Sequence, residues 1–399
     1  MHFRLSLAVA LGLCVAYCLA GLSGYGNDSD SYLLLVSGQN FWLNGLYTFS
    51  RPPSYLIPEL IIGAASLIGG HIFSNCLSGI LGAATLYLFW RLLAPTMSPR
   101  LLLLIVLIIG LNPIYFIAAS SSMDYAYSLF FCMAGLLSYQ SGKLWLGAAL
   151  FALAMASRLS NCLIVGLLFG YFFLSACREG NGRQVQRLAG SGAICAGILL
   201  ILYSPAYVSA GYSLDFLTYA IGDWGFAGYA ARFIYKNLCL LGLLQWLVLL
   251  MLAAIALIRG QLKRRLSLVL WTGCTIVAVQ EALFAFAPLE IAYLLPLLFV
   301  IFPLSVKLLA LKPGQLSILL LTTFSYGFIV NIDLLDRQYN EKRTEAVSAK
   351  PGLFVRRGLI VADLQNRQAS QAFYFDTYDI PSKKAVFQLN KIKSVIVRR

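Results

Sequence analysis

An all-α polytopic membrane protein is the expected architecture, on three grounds. The chain is 60% hydrophobic and only 12% charged, with a mean hydropathy of +0.79, whereas soluble domains sit at roughly 45–50% apolar. Apolar runs close to the ~20 residues that cross a ~30 Å hydrocarbon core recur through residues 1–332. Between those runs the basic residues fall mainly on alternate connections, as they do where a chain is threaded through a membrane.

The first run, Leu5 to Leu22, exceeds the roughly 7–15 apolar residues of a secretory signal, so it is read as an uncleaved span over 5–23. Ten more follow, over 71–92, 101–118, 124–140, 144–160, 161–177, 189–207, 237–258, 266–286, 291–308 and 315–332. Eleven transmembrane helices are therefore expected in a unit over 1–332. Residues 333–399 change character, with 13 basic and 7 acidic side chains. Four strand-like runs in them, "GLIVADL", "QAFYFDTYDI", "AVFQL" and "SVIVRR", predict a small C-terminal domain of mixed or β structure.

With Arg4 inside, thirteen basic residues of the membrane unit lie on the cytoplasmic side and four outside, which fixes the expected orientation. The acids run the other way. Of nine before residue 333 only Glu179 is cytoplasmic, while Asp28, Asp30, Glu59, Asp124, Asp215, Asp223, Glu281 and Glu290 fall at or near the outer face. The orientation rule concerns cations and leaves this gathering unexplained, so a polar outward-facing site is expected. An odd number of spans puts the tail outside too.

Several chemistries are disfavoured by composition. Nine cysteines lie in or beside apolar runs with no CxxC pair, as small buried hydrophobes do. The histidines are His2 and His71 alone, too few for a His-ligated metal or a Ser-His triad. Neither GxxxxGK[ST] nor GxGxxG after a strand occurs, so no nucleotide site is visible. No nucleic-acid partner is expected, and no internal repeat of the transporter kind is found.

The first outer loop, 24–70, is long for a connection and so functional in expectation. "SYLLLVSGQNFWLNG" reads as an amphipathic helix lying along the interface with Tyr32, Phe41 and Trp42 at head-group level. After the Pro52-Pro53 break a second, partly inserted helix should start, with only about 13 unbroken apolar residues after Glu59. The loop thus folds back over the membrane and carries Asp28, Asp30 and Arg51 toward one another.

Here the chain resembles the GT-C glycosyltransferases, among them the protein O-mannosyltransferases and the lipid A aminoarabinose transferases. The likeness rests on Asp28-Ser29-Asp30-Ser31-Tyr32, on Ser50-Arg51-Pro52-Pro53-Ser54-Tyr55, and on "LEIAYLLPLLFVIF" from Leu289 to Phe302. It spans most of residues 1–332 through short motifs. Two departures stand out: the family's acidic pair is split here into Asp28 and Asp30, and its late arginine is Ala292.

The resemblance implies an inverting transfer of a sugar from a polyprenyl-phosphate donor to a glycan, lipid or protein acceptor outside the membrane, in bacteria at the periplasmic face of the inner membrane. Such a displacement needs one carboxylate base, cations for the leaving phosphate and an apolar groove. By position Asp28 matches the family's catalytic aspartate; Asp30 either orients the acceptor or is itself the base. The plain alternative is that both merely form Asx turns. Arg51 matches the phosphate-binding position, a role suited to a bidentate guanidinium, against a head-group anchor. Arg158, near the outer end of an apolar helix, pairs either with lipid phosphate or with Asp124. Tyr32, Tyr55, Asp124, Glu290 and Tyr293 are further expected substrate contacts, whereas Arg232 and Lys236, spaced i, i+4, read as head-group anchors. No metal or other cofactor is expected, although the Asp28–Asp30 spacing is one that metals use. An O-antigen ligase or polymerase and a lipid or sugar flippase are the rival readings. The former would carry its large outer loop late and rich in His; the latter would carry charge at mid-membrane in broken helices.

Overall fold

The computed structural model describes residues 2–214, 217, 225–260, 267–339, 346–378 and 380. Asp215, Asp223, Lys263, Arg264, Arg265 and the runs "AVFQL" and "SVIVRR" lie outside the described residues. Helix α1 (His2–Gly21) shows why the fold belongs in lipid. Phe3, Leu7, Leu11, Val15 and Leu19, each four residues from the next, are all exposed, while Leu13, Tyr17 and Ala20 are buried against the bundle. A stripe of large apolar side chains facing outward suits hydrocarbon, not water.

Two helices build the first loop. Helix α2 (Ser29–Asn44) is followed by a connection to α3 (Leu56–Leu93), which breaks at Gly69–Gly70 where Gly70 takes a left-handed φ of 63°. The break separates a short helix after the Pro-Pro step from the span that follows, as the count of apolar residues requires. Tyr32 is not at head-group level: it is fully buried, with its hydroxyl donating to Gly26 O at 2.9 Å. Trp42 keeps the expected exposed position and anchors the loop by donating from Nε1 to Leu60 O at 2.8 Å.

The bundle continues with α4 (Pro99–Leu111) and α5 (Pro113–Ala119), bent 70° at Asn112. The Asn112 side chain accepts from the amides of Ile114 and Tyr115 and donates to Leu240 O, so the freed backbone groups stay satisfied. Then come α6 (Asp124–Gln140), α7 (Leu144–Ser157), α8 (Asn161–Arg178) and α9 (Gly182–Ser209). Helices α10 (Gly225–Leu241) and α11 (Leu243–Ile258) meet at 86° on Gly242, and α12 (Leu268–Phe286) follows. A 3₁₀ turn, Ile291–Leu294, leads into α13 (Leu295–Leu308), and α14 (Pro313–Phe324) closes the bundle. All nine cysteines are free.

Among the described residues six helices are long and apolar enough to cross a membrane, or eight if each bent pair counts as one. Eleven was the expectation. Every expected stretch does contain a helix, but α6, α7 and α14, at 17, 14 and 12 residues, fall short of the span criterion. At 1.5 Å per residue the last is roughly 18 Å long.

The tail also differs from expectation. After a π turn (Ser325–Ile329), β1 (Val330–Tyr339) pairs antiparallel with β2 (Ala346–Arg357), and α15 (Leu359–Thr377) follows. The runs "GLIVADL" and "QAFYFDTYDI", read as strands, lie mostly in this helix. Ile360, Asp363, Arg367 and Ser370 are buried at a spacing of three to four, so packing overrides local strand propensity. Helix α15 lies against the membrane unit: buried Arg367 donates to Ser120 O at 2.6 Å and Ser120 Oγ at 2.9 Å, and to Asp363 Oδ2 at 2.7 Å.

The crossing of α2 and α3 depends on two glycines. A Cβ on Gly38 would fall 1.9 Å from Glu59 O, and one on Gly63 would fall 2.3 Å from the Gly38 carbonyl carbon. Backbones in that contact leave no room for a methyl group. Gly38→Ala and Gly63→Ala should each destabilise the protein by about 1–3 kcal/mol. A lowered melting midpoint in detergent checks this, and an unchanged one refutes it.

Candidate functional site

The site is assembled by the loop between α1 and α3. Asp28 is the N-cap of α2: its Oδ1 accepts from the Asp30 amide at 3.1 Å, satisfying one of the free amides at a helix start. The Asx-turn reading of Asp28 is therefore realised, and it occupies one oxygen of two. Asp28 is exposed. Asp30, one position into the helix, is buried.

Arg51 is delivered from the opposite side by Glu59. That fully buried carboxylate, in the first turn of α3, accepts from Ser50 N at 2.8 Å, from Ser50 Oγ at 2.6 Å and from the Tyr47 hydroxyl. Glu59 thus pins the segment just before Arg51 and explains its own place in the polar loop. The guanidinium lies 4.3 Å over the Tyr55 ring. Its Nη1 is 2.7 Å from Asp30 Oδ2 and its Nη2 is 3.1 Å from Asp124 Oδ1. Nη1 and Nε have no aligned hydrogen-bond acceptor among the described residues.

Asp124, the first residue of α6, is fully buried and bridges two arginines, taking Arg51 on Oδ1 and Arg158 on Oδ2. Of the two partners expected for Arg158, then, the fold supplies Asp124. Arg158 caps the C-terminus of α7, where the helix dipole favours a cation. Its guanidinium sits 3.9 Å over Tyr125, 4.6 Å over Tyr293 and 5.6 Å over Tyr55. Three aromatic faces replace water around this charge.

Tyr125 also donates to Glu290, which draws the segment before α13 into the cluster. Carboxylate oxygens of Asp28, Asp30 and Glu290 all lie within 4.8 Å of one another. Glu290 supplies the third hard oxygen donor that the sequence did not reveal, so these three residues are the set that could hold a divalent cation.

Crowded like charges resist ionisation together. Burial raises Asp30, the nearby Glu290 raises it further, and Arg51 opposes both. Burial would raise Glu290 as well, but Arg51 and hydrogen bonds from Asp30 and Tyr125 outweigh it and hold it below the usual glutamate value. Burial, with Glu290 next, pushes Asp28 up to about 6.

One turn from Arg158 a cavity of about 430 Å³ begins at Leu129 and Asn161 and runs past Phe299 and Ile276 to Lys307 and Gln140. Its walls are mainly apolar.

Asp28, Asp30, Arg51, Tyr55, Asp124, Arg158, Glu290 and Tyr293 are thus brought into one cluster. Tyr32 is not among them; it lies beneath the loop. Lys236 reaches the Leu289 carbonyl instead of the head-group region alone. Tyr125 escaped the sequence reading although its neighbour Asp124 was singled out. The signal was its position: next to an acid at the start of an apolar helix. No protein family, curated protein or solved structure matches this chain.

Arg158→Ala should cost about 3–5 kcal/mol of stability, because it leaves part of a buried carboxylate unpaired. Arg158→Lys should recover little, since the planar stack over Tyr125 and Tyr293 is lost. Thermal unfolding of the purified variants measures both.

Proposed function

We propose that the chain is an inverting glycosyltransferase of GT-C type. It moves a sugar from a polyprenyl-phosphate donor to an acceptor hydroxyl on the outer face of the membrane. The observation that carries the proposal is the convergence of exposed Asp28 with the Arg51–Asp124–Arg158 chain, with an apolar cavity that starts at Asn161, one turn beyond Arg158. The two bends in the bundle, at Asn112 and Gly242, carry no ionisable side chain, which disfavours the flippase reading.

In this reading the polyprenyl chain occupies the cavity from Asn161 toward Lys307, and the phosphate meets Arg51. Nε and Nη1, without aligned acceptors, suit phosphate oxygens. Asp28 takes the proton of the acceptor hydroxyl as that oxygen attacks the anomeric carbon. The bond to the phosphate oxygen breaks, its electron pair leaves with the phosphate, and the configuration inverts. Asp30 is buried and held by Arg51, which favours Asp28 as the base. Arg158 over Tyr293 puts a cation beside the position where the family's late arginine is replaced by Ala292. The direct displacement needs no metal.

The orientation is N-terminus inside, with eleven crossings. Supporting this orientation, α15 contacts the C-terminal end of α1 through Arg367 and Ala20 O, so α15 lies on the face where α1 ends, as an odd number of crossings before it requires.

A carboxylate base must be ionised, so the rate should fall as pH drops through about 6, the raised value of Asp28. Glu290→Gln removes a repelling charge, lowers the Asp28 value and should move the acid limb to lower pH. A limb that stays in place or rises would separate Asp28 from the rate. Asp28→Asn should reduce turnover by about 10²–10⁴-fold with donor binding retained; if Asp30→Asn is dead and Asp28→Asn active, the base is Asp30.

Arg51→Ala should lower the maximal rate by roughly 10²–10³-fold at saturating donor, since its bonds strengthen as charge builds on the leaving oxygen. The assay uses purified protein, synthetic polyprenyl-phosphate sugars and candidate acceptors, with and without EDTA. Equal rates in the two arms fit a metal-free displacement; loss restored by Mg²⁺ or Mn²⁺ would assign the Asp28–Asp30–Glu290 set to a cation. An unchanged maximal rate in Arg51→Ala removes Arg51 from the reaction.

A further inference from the structure

The C-terminal helix adds a feature that the transfer chemistry has not used. Helix α15 is fastened to the membrane unit by buried Arg367 and by Ser370, which bonds Asn27 beside Asp28. One turn further on, the Tyr374 ring stacks on Tyr32 with centroids 4.7 Å apart and planes at 30°. One turn beyond that, Tyr378 lies parallel to Tyr374, at 5.9 Å and 8°. The result is a row of three phenols running from a fully buried ring to two half-exposed ones.

The row stands beside the carboxylates. Tyr32, under the Tyr374 ring, follows Asp30 by two residues, and Ser370, one turn before Tyr374, bonds Asn27 beside Asp28. Burial first, and then the charges of Asp28 and Asp30, raise the Tyr374 and Tyr378 phenols above the usual tyrosine value, so they stay neutral and able to donate at physiological pH.

We infer that Tyr374 and Tyr378 form an acceptor subsite for a saccharide, so that the acceptor of the proposed transfer is a glycan. A sugar ring presents a C–H face of partial positive charge, which suits the negative π face of an aromatic ring. Its hydroxyls are donors, which suits Asp28, Asp30 and Glu290. A ring laid on Tyr378 with its edge toward α2 brings a hydroxyl to Asp28.

The inference rests on the transferase reading but is tested apart from it. The full chain in detergent is titrated with a panel of soluble di- to tetrasaccharides of the common hexoses, with binding read by saturation-transfer NMR and calorimetry and no donor present. Some member of the panel should bind, and Tyr378→Ala should weaken it about tenfold, the size of one aromatic stacking contact. Tyr378→Trp should retain affinity, while melting midpoints of both variants match the parent. With polyprenyl-phosphate sugars added, Tyr378→Ala should raise KM for the saccharide about tenfold and leave KM for the donor in place. Saccharide binding that Tyr378→Ala does not change, or transfer to lipid or peptide acceptors with no saccharide bound, overturns the subsite. Tyr378-dependent saccharide binding with no transfer from any donor keeps the subsite and sinks the transferase reading.

Discussion

A single buried carboxylate, Asp124, ties the loop between α1 and α3 to the helical bundle. It has no exposed surface, and an ionised group in that position is costly unless fully paired. Both of its oxygens are taken by arginines, one on the loop between α1 and α3 and one at the end of α7. Arg51 has Asp30 as a second carboxylate partner, whereas among the described residues Asp124 is the carboxylate that pairs with Arg158. Meeting these pairings fixes the loop over the bundle.

The remaining enclosure is aromatic. Tyr55, Tyr125 and Tyr293 face the Arg158 guanidinium, and Tyr55 also faces Arg51. Tyr125 spends its ring on Arg158 and its hydroxyl on Glu290, so one side chain joins α7 to the segment before α13. On the opposite flank, Arg367 and the Tyr32–Tyr374–Tyr378 row seat α15 over the start of α2. Carboxylates, arginines and phenols are thereby held at fixed positions beside one another.

Gly38 and Gly63 set the spacing. Their backbone contact brings α2 against α3, and with it Asp30 within 2.7 Å of Arg51. Glu59 serves the same end from within α3 by tying down Ser50. It shares the polar loop with Asp28, Asp30 and Arg51 yet acts only as a fastener.

What the sequence determined by itself was the solvent and the neighbourhood of the site. Long apolar runs demand lipid, because no soluble fold could bury them, and acids gathered on one side of those runs mark one face. The short helix after Pro-Pro was equally legible, since local backbone preference and the count of apolar residues govern it; the Gly69–Gly70 break that ends it came from the structure. Pairing was decided only in three dimensions: Asp124 rather than lipid phosphate for Arg158, and Glu290 beside Asp28 across 262 residues of chain (290 − 28). The tail was misread for the same reason. "GLIVADL" has the composition of a strand, but a helix there buries Ile360, Asp363 and Arg367 on one face, and burial against the bundle outweighs a local preference worth only about 1 kcal/mol. Composition acts through each residue's own transfer energy and can be read along the chain. A contact between distant residues depends on where the whole bundle puts them, and no short stretch of sequence contains that information.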